Sequence, residues 1–122
     1  MQQSNGAARP WLLVPLGAAL VVIGAKFWLI ANYGNPTPFW DQWSAEGAFL
    51  FPKYFSGTLT LGDLLSAHNE HRILFTRLWS LLLLLLEGYW DPIVQMVANA
   101  LIAGAIAALT IAAFRALLPR PY

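Results

Sequence analysis

The chain has 122 residues, of which 58% are hydrophobic and 11% are charged, and it contains no cysteine. A soluble domain averages about 25% charged residues, so this composition predicts a protein whose main surroundings are lipid rather than water. The net charge of +1 argues against nucleic acid as a partner, because such a partner requires a basic face. The lack of cysteine excludes disulfides and thiolate metal sites.

The first apolar stretch runs from Trp11 to Ala31 with one interruption, Lys26. A helix of roughly 20 apolar residues crosses the hydrocarbon layer of a membrane, and a lysine near a helix end extends its ammonium group to the headgroups. We therefore predict a membrane-spanning helix over residues 11–31, which follows a cytoplasmic tail of residues 1–10.

A polar loop, residues 32–71, follows this helix. It begins with Asn35–Pro36–Thr37–Pro38, whose prolines restrict the backbone to extended conformations. The residues after this breaker predict a short helix from Phe39 to Phe51, which stops near Pro52.

The second half of the loop contains a further helix start. Thr60 has the features of an N-cap, with Asp63 in the capping-box position, and this pair predicts a short helix over residues 61–67. Residues 72–88 then form an apolar helix that is too short to cross alone, so we expect it to be interfacial or re-entrant. Inside it, Arg77 either extends to the headgroups or faces a polar cavity and binds a lipid phosphate.

Residues 92–114 predict a second membrane-spanning helix. One of its faces carries small residues, which let helices pack closely in lipid. These are Ala100, Ala103, Gly104, Ala107 and Ala108. Gln95 and Asn99, four residues apart, are expected to bond to a neighbouring helix, so further transmembrane helices of the same protein or complex are predicted partners.

The cations predict the orientation. Arg9 precedes the first span, and Arg115 and Arg120 follow the second, so the positive-inside rule places both ends, including the tail of residues 115–122, in the cytoplasm. The loop of residues 32–91 then lies outside the cytoplasm. The competing arrangement, in which the middle helix also crosses, leaves the two C-terminal arginines outside.

The predicted fold class is thus all-α and integral to the membrane. Two transmembrane helices flank an external loop, which contains short juxtamembrane helices and one interfacial or re-entrant helix. The loop contains two groups of residues that are candidates for chemistry.

The first candidate group is Phe39–Trp40–Asp41–Gln42–Trp43, just after the first span. In one interpretation the aromatic rings anchor at the headgroups and Asp41 caps a helix. In the other, Asp41 is a general base held near the membrane surface, and the tryptophans beside it stack on a sugar.

The second candidate group is the densest polar run of the chain, His68–Asn69–Glu70–His71–Arg72. It is a solvated turn, or a divalent-metal site in which Glu70 or Asp41 joins the two histidines, or an anion site. In the anion site, Arg72 and a histidine contact a phosphate, for which arginine supplies a bidentate fork. The run lacks a third histidine and an HExxH motif, so we assign no metal ligand, although a divalent metal stays open as a cofactor.

Taken together, these features resemble the N-terminal part of the GT-C class of polytopic membrane glycosyltransferases, which includes the protein O-mannosyltransferases and the bacterial aminoarabinose transferases. In that class, a first span leads into an external loop with an acidic pair, a His/Lys–Pro–Pro–Leu motif, an amphipathic helix and a second span. Asp41–Gln42 stands at the position of the acidic pair, and His68–Arg72 at that of the second motif. The stretch from Trp40 to Arg72 is also similar to that of many unassigned bacterial multi-span membrane proteins.

The resemblance implies transfer of a sugar from a polyprenyl-phosphate donor to an acceptor on the non-cytoplasmic side of the bacterial plasma (inner) membrane. Its implied catalytic residue is Asp41, which would activate or orient the acceptor hydroxyl. Its implied substrate-binding residues are Trp40, Gln42, Trp43, His68, Glu70, His71, Arg72 and Arg77.

The implied partners are the polyprenyl-phosphate-linked sugar and membrane lipids. Two other hypotheses come from different classes of protein. One is a small non-catalytic membrane subunit whose loop binds a lipid headgroup or a partner protein. The other is a metal-handling component that uses His68 and His71.

Overall fold

The computed structural model describes residues 10–118, and the chain is mostly helical, in agreement with the all-α prediction. Two helices are long and apolar enough to cross a membrane, Leu12–Tyr33 and Pro92–Leu117. Arg9 and Arg120, on which the predicted orientation partly rests, lie outside the described residues.

The secondary-structure elements follow one another along the described chain in this order: α1 Pro10–Tyr33, a π-helix Trp43–Leu50, α2 Phe51–Phe55, α3 Leu61–Leu65, β1 Ala67–His68, β2 His71–Arg72, α4 Leu74–Glu87 and α5 Pro92–Leu117. They form two compact units. The span unit contains α1 and the part of α5 from Met96 onward. The loop unit contains Asn35–Gln95.

In the span unit, α1 and α5 approach each other closely at Gly104. A Cβ atom at this position would lie 2.5 Å from Ile23 Cγ1 and 3.2 Å from the carbonyl oxygen of Ala19. Ala100, one turn earlier on α5, is also buried. Gly104, a member of the predicted small-residue face, is therefore a point of close contact with α1, where a larger side chain would keep the two helices apart.

We predict that Gly104→Ala destabilises the helix pair. The added methyl group overlaps Ile23, whose β-branched side chain is stiff in a helix, and overpacking of this kind typically costs about 1–3 kcal/mol. Thermal unfolding of the purified chain in detergent measures the effect. The matched control is Gly24→Ala, since a Cβ atom there meets nothing within 4 Å. Equal stability of the two variants would contradict the close contact, and Ile23→Ala should restore the stability of Gly104→Ala.

The loop unit has a small apolar core formed by Leu50, Phe51 and Leu84. Other apolar side chains pack around it and are partly buried, namely Phe49, Tyr54, Leu59, Leu64, Leu81 and Trp90. The core thus lies where the π-helix, α2 and α4 meet.

The helix in the first half of the loop does not stop at Pro52, so this prediction is wrong. The N–H group of Phe51 donates to the carbonyl oxygen of Glu46, five residues earlier, which is the spacing of a π-helix. Pro52 then falls in the first turn of α2, the part of a helix in which proline is tolerated best. The chain therefore continues as helix to Phe55.

The capping box at Thr60 is confirmed. Its hydroxyl accepts from the Asp63 N–H at 3.1 Å, and the Asp63 carboxylate accepts from the Thr60 N–H at 2.9 Å. The Lys53 ammonium group also donates to Asp63. The bonds from Lys53 and Thr60 lower the pKa of Asp63 from 3.8 to about 2. The helix ends at Leu65, two residues before the predicted end, because Ser66 is already extended.

The middle helix, α4, has 14 residues and is therefore about 21 Å long. This is shorter than the roughly 30 Å of membrane hydrocarbon. It ends at Gly88, whose φ of +80° lies in the left-handed region that glycine adopts without strain. Pro92 then begins α5, as predicted.

Candidate functional site

The structure places Asp41 on the exposed surface, at the start of the helical segment that leads into the π-helix. The indole of Trp40 is 79% exposed and that of Trp43 is 54% exposed, so two accessible rings flank the carboxylate along the chain. Trp40 has a φ of +48°, which is rare for a bulky residue. Trp43 also packs edge-to-face against Trp90, with their centroids 6.1 Å apart.

Gln42, next to Asp41, points into the loop unit instead. Its Oε1 atom accepts from the Phe39 N–H at 2.8 Å, and its Nε2 atom donates to Gln95 Oε1 at 3.3 Å. Gln42 therefore begins a chain of internal hydrogen bonds, so its side-chain amide is not free on the surface beside Asp41.

This chain of hydrogen bonds ends at a buried acid, Glu46. Gln95 Nε2 donates to Ser80 Oγ at 3.0 Å, and Ser80 Oγ donates to Glu46 Oε1 at 3.1 Å. Only 5% of Glu46 is exposed. We call this series of hydrogen bonds, from Gln42 through Gln95 and Ser80 to Glu46, the Glu46 network. Buried polar groups need hydrogen-bond partners, and in supplying them the network links the π-helix, α4 and the first turn of α5.

Burial raises the pKa of Glu46 above its usual value of 4.5, because the charged form loses water. The hydrogen bonds from Ser80 and Gln95, together with the charge of His68, oppose this rise only in part. The buried end of the network is therefore an acid that holds its proton more tightly than it would in water.

Sequence reasoning missed Glu46. The signal that pointed to it was weak: Glu46, Ser80 and Gln95 are each a polar residue within an apolar stretch. Gln95 was expected to bond to a neighbouring helix, and its observed partners are Gln42 and Ser80 within the loop unit.

Arg77 is 2% exposed and holds the end of α3. Its Nη1 atom donates to the carbonyl oxygens of Asp63, Leu64 and Ser66 at 2.9, 3.2 and 2.5 Å, which lie at the C-terminal end of α3 and its cap. Its guanidinium also lies 5.0 Å from the centre of the Phe49 ring. Its burial and these internal bonds show that Arg77 joins α4 to α3.

The polar run from His68 to Arg72 forms an antiparallel hairpin, with His68 paired to His71 and Ala67 paired to Arg72. The turn contains Asn69, whose φ of +51° is tolerated better by asparagine than by most residues. Directly opposed residues lie on the same face of a two-stranded ribbon, so the two histidines lie side by side.

The side chains of this hairpin differ in exposure. Glu70, His71 and Arg72 are exposed and His68 is half-buried. The Nε2 atom of His68 is buried and has no hydrogen-bond partner among the described residues. Within residues 10–118, no group of three or more His, Cys, Asp or Glu side chains is placed to hold a metal ion.

A small pocket lies beside the Glu46 network and is lined by Ser80, Gln95, Trp90, Glu87 and Asp91, among others. Its volume is about 10 Å³, which is close to the space that one water molecule needs. A sugar does not fit in it.

No family model, no curated protein and no solved structure matches this chain. The site residues predicted from sequence divide into two sets. In the first set, Gln42 and Arg77 have internal partners. The second set is exposed and available to a ligand, and consists of Trp40, Asp41, Trp43, Glu70, His71 and Arg72. His68 is half-buried and belongs to neither set. The exposed residues form two groups along the chain, at positions 40–43 and 70–72, and both are candidates for ligand binding.

We predict that Glu46 makes the stability of the loop unit depend on pH. Because its pKa is raised in the folded state, its contribution is fully present below about pH 4.5 and is lost as the pH rises through the folded pKa. Glu46→Gln should remove this dependence. Thermal unfolding between about pH 4.5 and pH 8 tests it, since the contribution of Asp63 changes only below that range.

Ser80→Ala is the companion variant. It removes the hydroxyl that donates to Glu46, so it should raise the pKa of Glu46 further and cost about 1–3 kcal/mol at neutral pH. Identical pH profiles for the unaltered chain and Glu46→Gln would contradict a buried, titrating Glu46.

Proposed function

We propose that this chain is the N-terminal part of a membrane glycosyltransferase, which moves a sugar from a polyprenyl-phosphate donor to an acceptor on the non-cytoplasmic side. The observation that carries the proposal is the exposed Asp41 carboxylate, flanked along the chain by the accessible indoles of Trp40 and Trp43. A positioned carboxylate is able to accept the proton of an acceptor hydroxyl, and exposed aromatic faces are able to stack on a sugar ring.

The division of roles follows from what each group can do. Asp41 accepts the proton of the acceptor hydroxyl as that oxygen attacks the sugar. Trp40 and Trp43 provide apolar faces for the sugar. The strained backbone of Trp40 supports this role, because strain in a folded chain is concentrated at functional sites.

The hairpin supplies the groups for the carrier phosphate. Arg72 is exposed, and its planar guanidinium suits a phosphate, whereas it does not ligate a cation. His71 is exposed beside it, and His68 lies across from His71. These donors stabilise the phosphate as it leaves the sugar as an anion.

The second candidate function is that of a non-catalytic membrane subunit whose loop unit binds a lipid headgroup or a partner protein. Gln42, at the second position of the Asp41–Gln42 pair, is occupied by internal hydrogen bonds. Its amide is therefore not free to contact a substrate beside Asp41, and this favours the subunit. Such a subunit needs Arg72 for a headgroup but does not need Asp41 as a base, so the two functions differ in their sensitivity to substitution.

We predict that the loop unit lies outside the cytoplasm and that the C-terminus lies inside. The reason is the position of the flanking arginines. Topology reporters inserted at Gly57, in an exposed turn, and at the C-terminus should report opposite sides of the membrane. A C-terminal reporter on the external side would contradict the arrangement with two spans.

We predict that Asp41→Asn lowers transfer about 10²–10⁴-fold, which is the typical loss when a general base is removed. The change keeps the size of the side chain and most of its hydrogen bonding. Transfer is measured with polyprenyl-phosphate sugars in membranes from cells that express the complete open reading frame. Glu87→Gln is the control, because Glu87 is an exposed acid of the same unit. Near-normal transfer in Asp41→Asn, at equal protein levels, would leave the subunit as the better assignment.

We predict that Arg72→Lys weakens binding of a polyprenyl-phosphate analogue about tenfold, since it removes one charge-assisted hydrogen bond while the charge remains. Binding to the purified chain is measured together with its metal content. Arg115→Lys is the control, because Arg115 lies at the far end of α5, in the span unit. Stoichiometric zinc that is lost in His68→Ala, with analogue binding unchanged in Arg72→Lys, would replace the phosphate assignment with a metal site.

A further inference from the structure

Helix α4 has two opposite faces. One face is buried in the loop unit and carries Arg77, Ser80 and Leu84. The other carries five apolar side chains that are 44% to 84% exposed, the outer stripe: Phe75, Leu78, Leu82, Leu85 and Leu86. Successive residues of a helix are rotated by about 100°, so these five side chains form one line from the first turn of α4 to its last.

The outer stripe is too apolar for water. Soluble proteins rarely expose contiguous apolar patches larger than a few hundred Å² unless something binds there. The stripe contains only phenylalanine and leucine side chains, so it offers no hydrogen-bonding group that would select a protein partner. Its apolar surface is suited to contact with the hydrocarbon chains of lipids.

A short connection also joins this stripe to a candidate membrane span. Only residues 88–91 separate α4 from α5, and four residues bridge at most about 14 Å. α5 is long and apolar enough to cross a membrane. Tyr89, in the connection, is exposed, and tyrosine is enriched where membrane meets water.

We infer that α4 lies flat on the membrane, with its outer stripe inserted among the lipid acyl chains and its buried face supporting the rest of the loop unit on the water side. A polar or protein-bound face opposite an apolar one is the pattern of interfacial helices. This inference concerns lipid contact alone and goes beyond the proposed sugar transfer.

The flat orientation is favoured over a re-entrant one by both ends of α4. The stripe is as apolar at Phe75 as at Leu86, so the whole length of the helix meets the same environment. Glu70 and Arg72 are exposed just before α4 begins, and charged groups are costly in hydrocarbon. A helix that dipped into the membrane from this end would carry these charges with it.

The chain has no cysteine, so single cysteines carry nitroxide spin labels at chosen positions without further changes. The test positions are Phe75→Cys, Leu82→Cys and Leu85→Cys on the stripe. Val21→Cys on α1, which is exposed, is the hydrocarbon reference, and Glu70→Cys in the hairpin turn is the water reference. The full chain is reconstituted in vesicles of phosphatidylethanolamine and phosphatidylglycerol. Collision rates with oxygen, which enters lipid, and with a water-soluble nickel chelate are then measured.

The expected result is an oxygen-to-nickel collision ratio at the three stripe positions that is close to that of Val21→Cys, with similar values at both ends of α4. A steady change in the ratio from residue 75 to residue 85 would overturn the flat orientation. A ratio close to that of Glu70→Cys would overturn lipid contact altogether.

Low collision rates with both reagents would show that protein covers the stripe, which also overturns the inference. In that case, line broadening that disappears on dilution with unlabelled chain identifies a second copy as the cover. A water-like ratio at Val21→Cys would overturn the membrane location of the whole chain. None of these outcomes depends on transfer activity, so failure of the inference is distinguishable from failure of the proposed function.

Discussion

The hydrogen bond from Ser80 to the buried carboxylate of Glu46 is the contact on which the arrangement of the loop unit depends. A carboxylate is costly to bury unless donors accompany it. Ser80 is supplied by α4, and Gln95, which bonds to Ser80, is supplied by the first turn of α5. Satisfying one acid therefore aligns three helices, and Gln42 extends the same network to the residue that follows Asp41.

Polar contacts organise this unit because its apolar core is small. Arg77, near the other end of the buried face of α4, is a second polar residue that joins two helices. It donates hydrogen bonds to the last carbonyl groups of α3. Many large apolar side chains, by contrast, lie on the outside. This distribution suits a protein that meets lipid, since apolar side chains gain nothing from being buried against one another when hydrocarbon already surrounds them.

The features that the sequence predicts correctly are those set by neighbouring residues. The bounds of α1 and α5 follow to within three residues from the apolar runs and from Pro92, and the capping box follows from the spacing of Thr60 and Asp63. The π-helix does not follow from the usual period of 3.6 residues, because its hydrogen bonds join residues five apart, as from the Phe51 N–H to the Glu46 carbonyl oxygen.

Contacts between distant residues set the remaining features. The partners of Arg77 lie 11 to 14 residues earlier in the chain, and Ser80 is 34 residues from Glu46. No local pattern specifies such pairs, so the expected roles of Arg77 and Gln95 differed from the observed ones. The roles of Asp41 and Arg72 depend on a ligand, and they stay predictions.

The backbone conformation of Trp40 is unfavourable for the stability of the fold, whereas the proposed function uses its side chain for binding. A left-handed conformation costs a non-glycine residue roughly 1–2 kcal/mol, and the exposed indole recovers little of this through packing. Glycine would suit this backbone better, so Trp40 lowers the stability of the folded chain at this position. A search for thermostable variants of this chain would favour its loss, and under the proposed function the most stable variants would be those least able to hold a sugar.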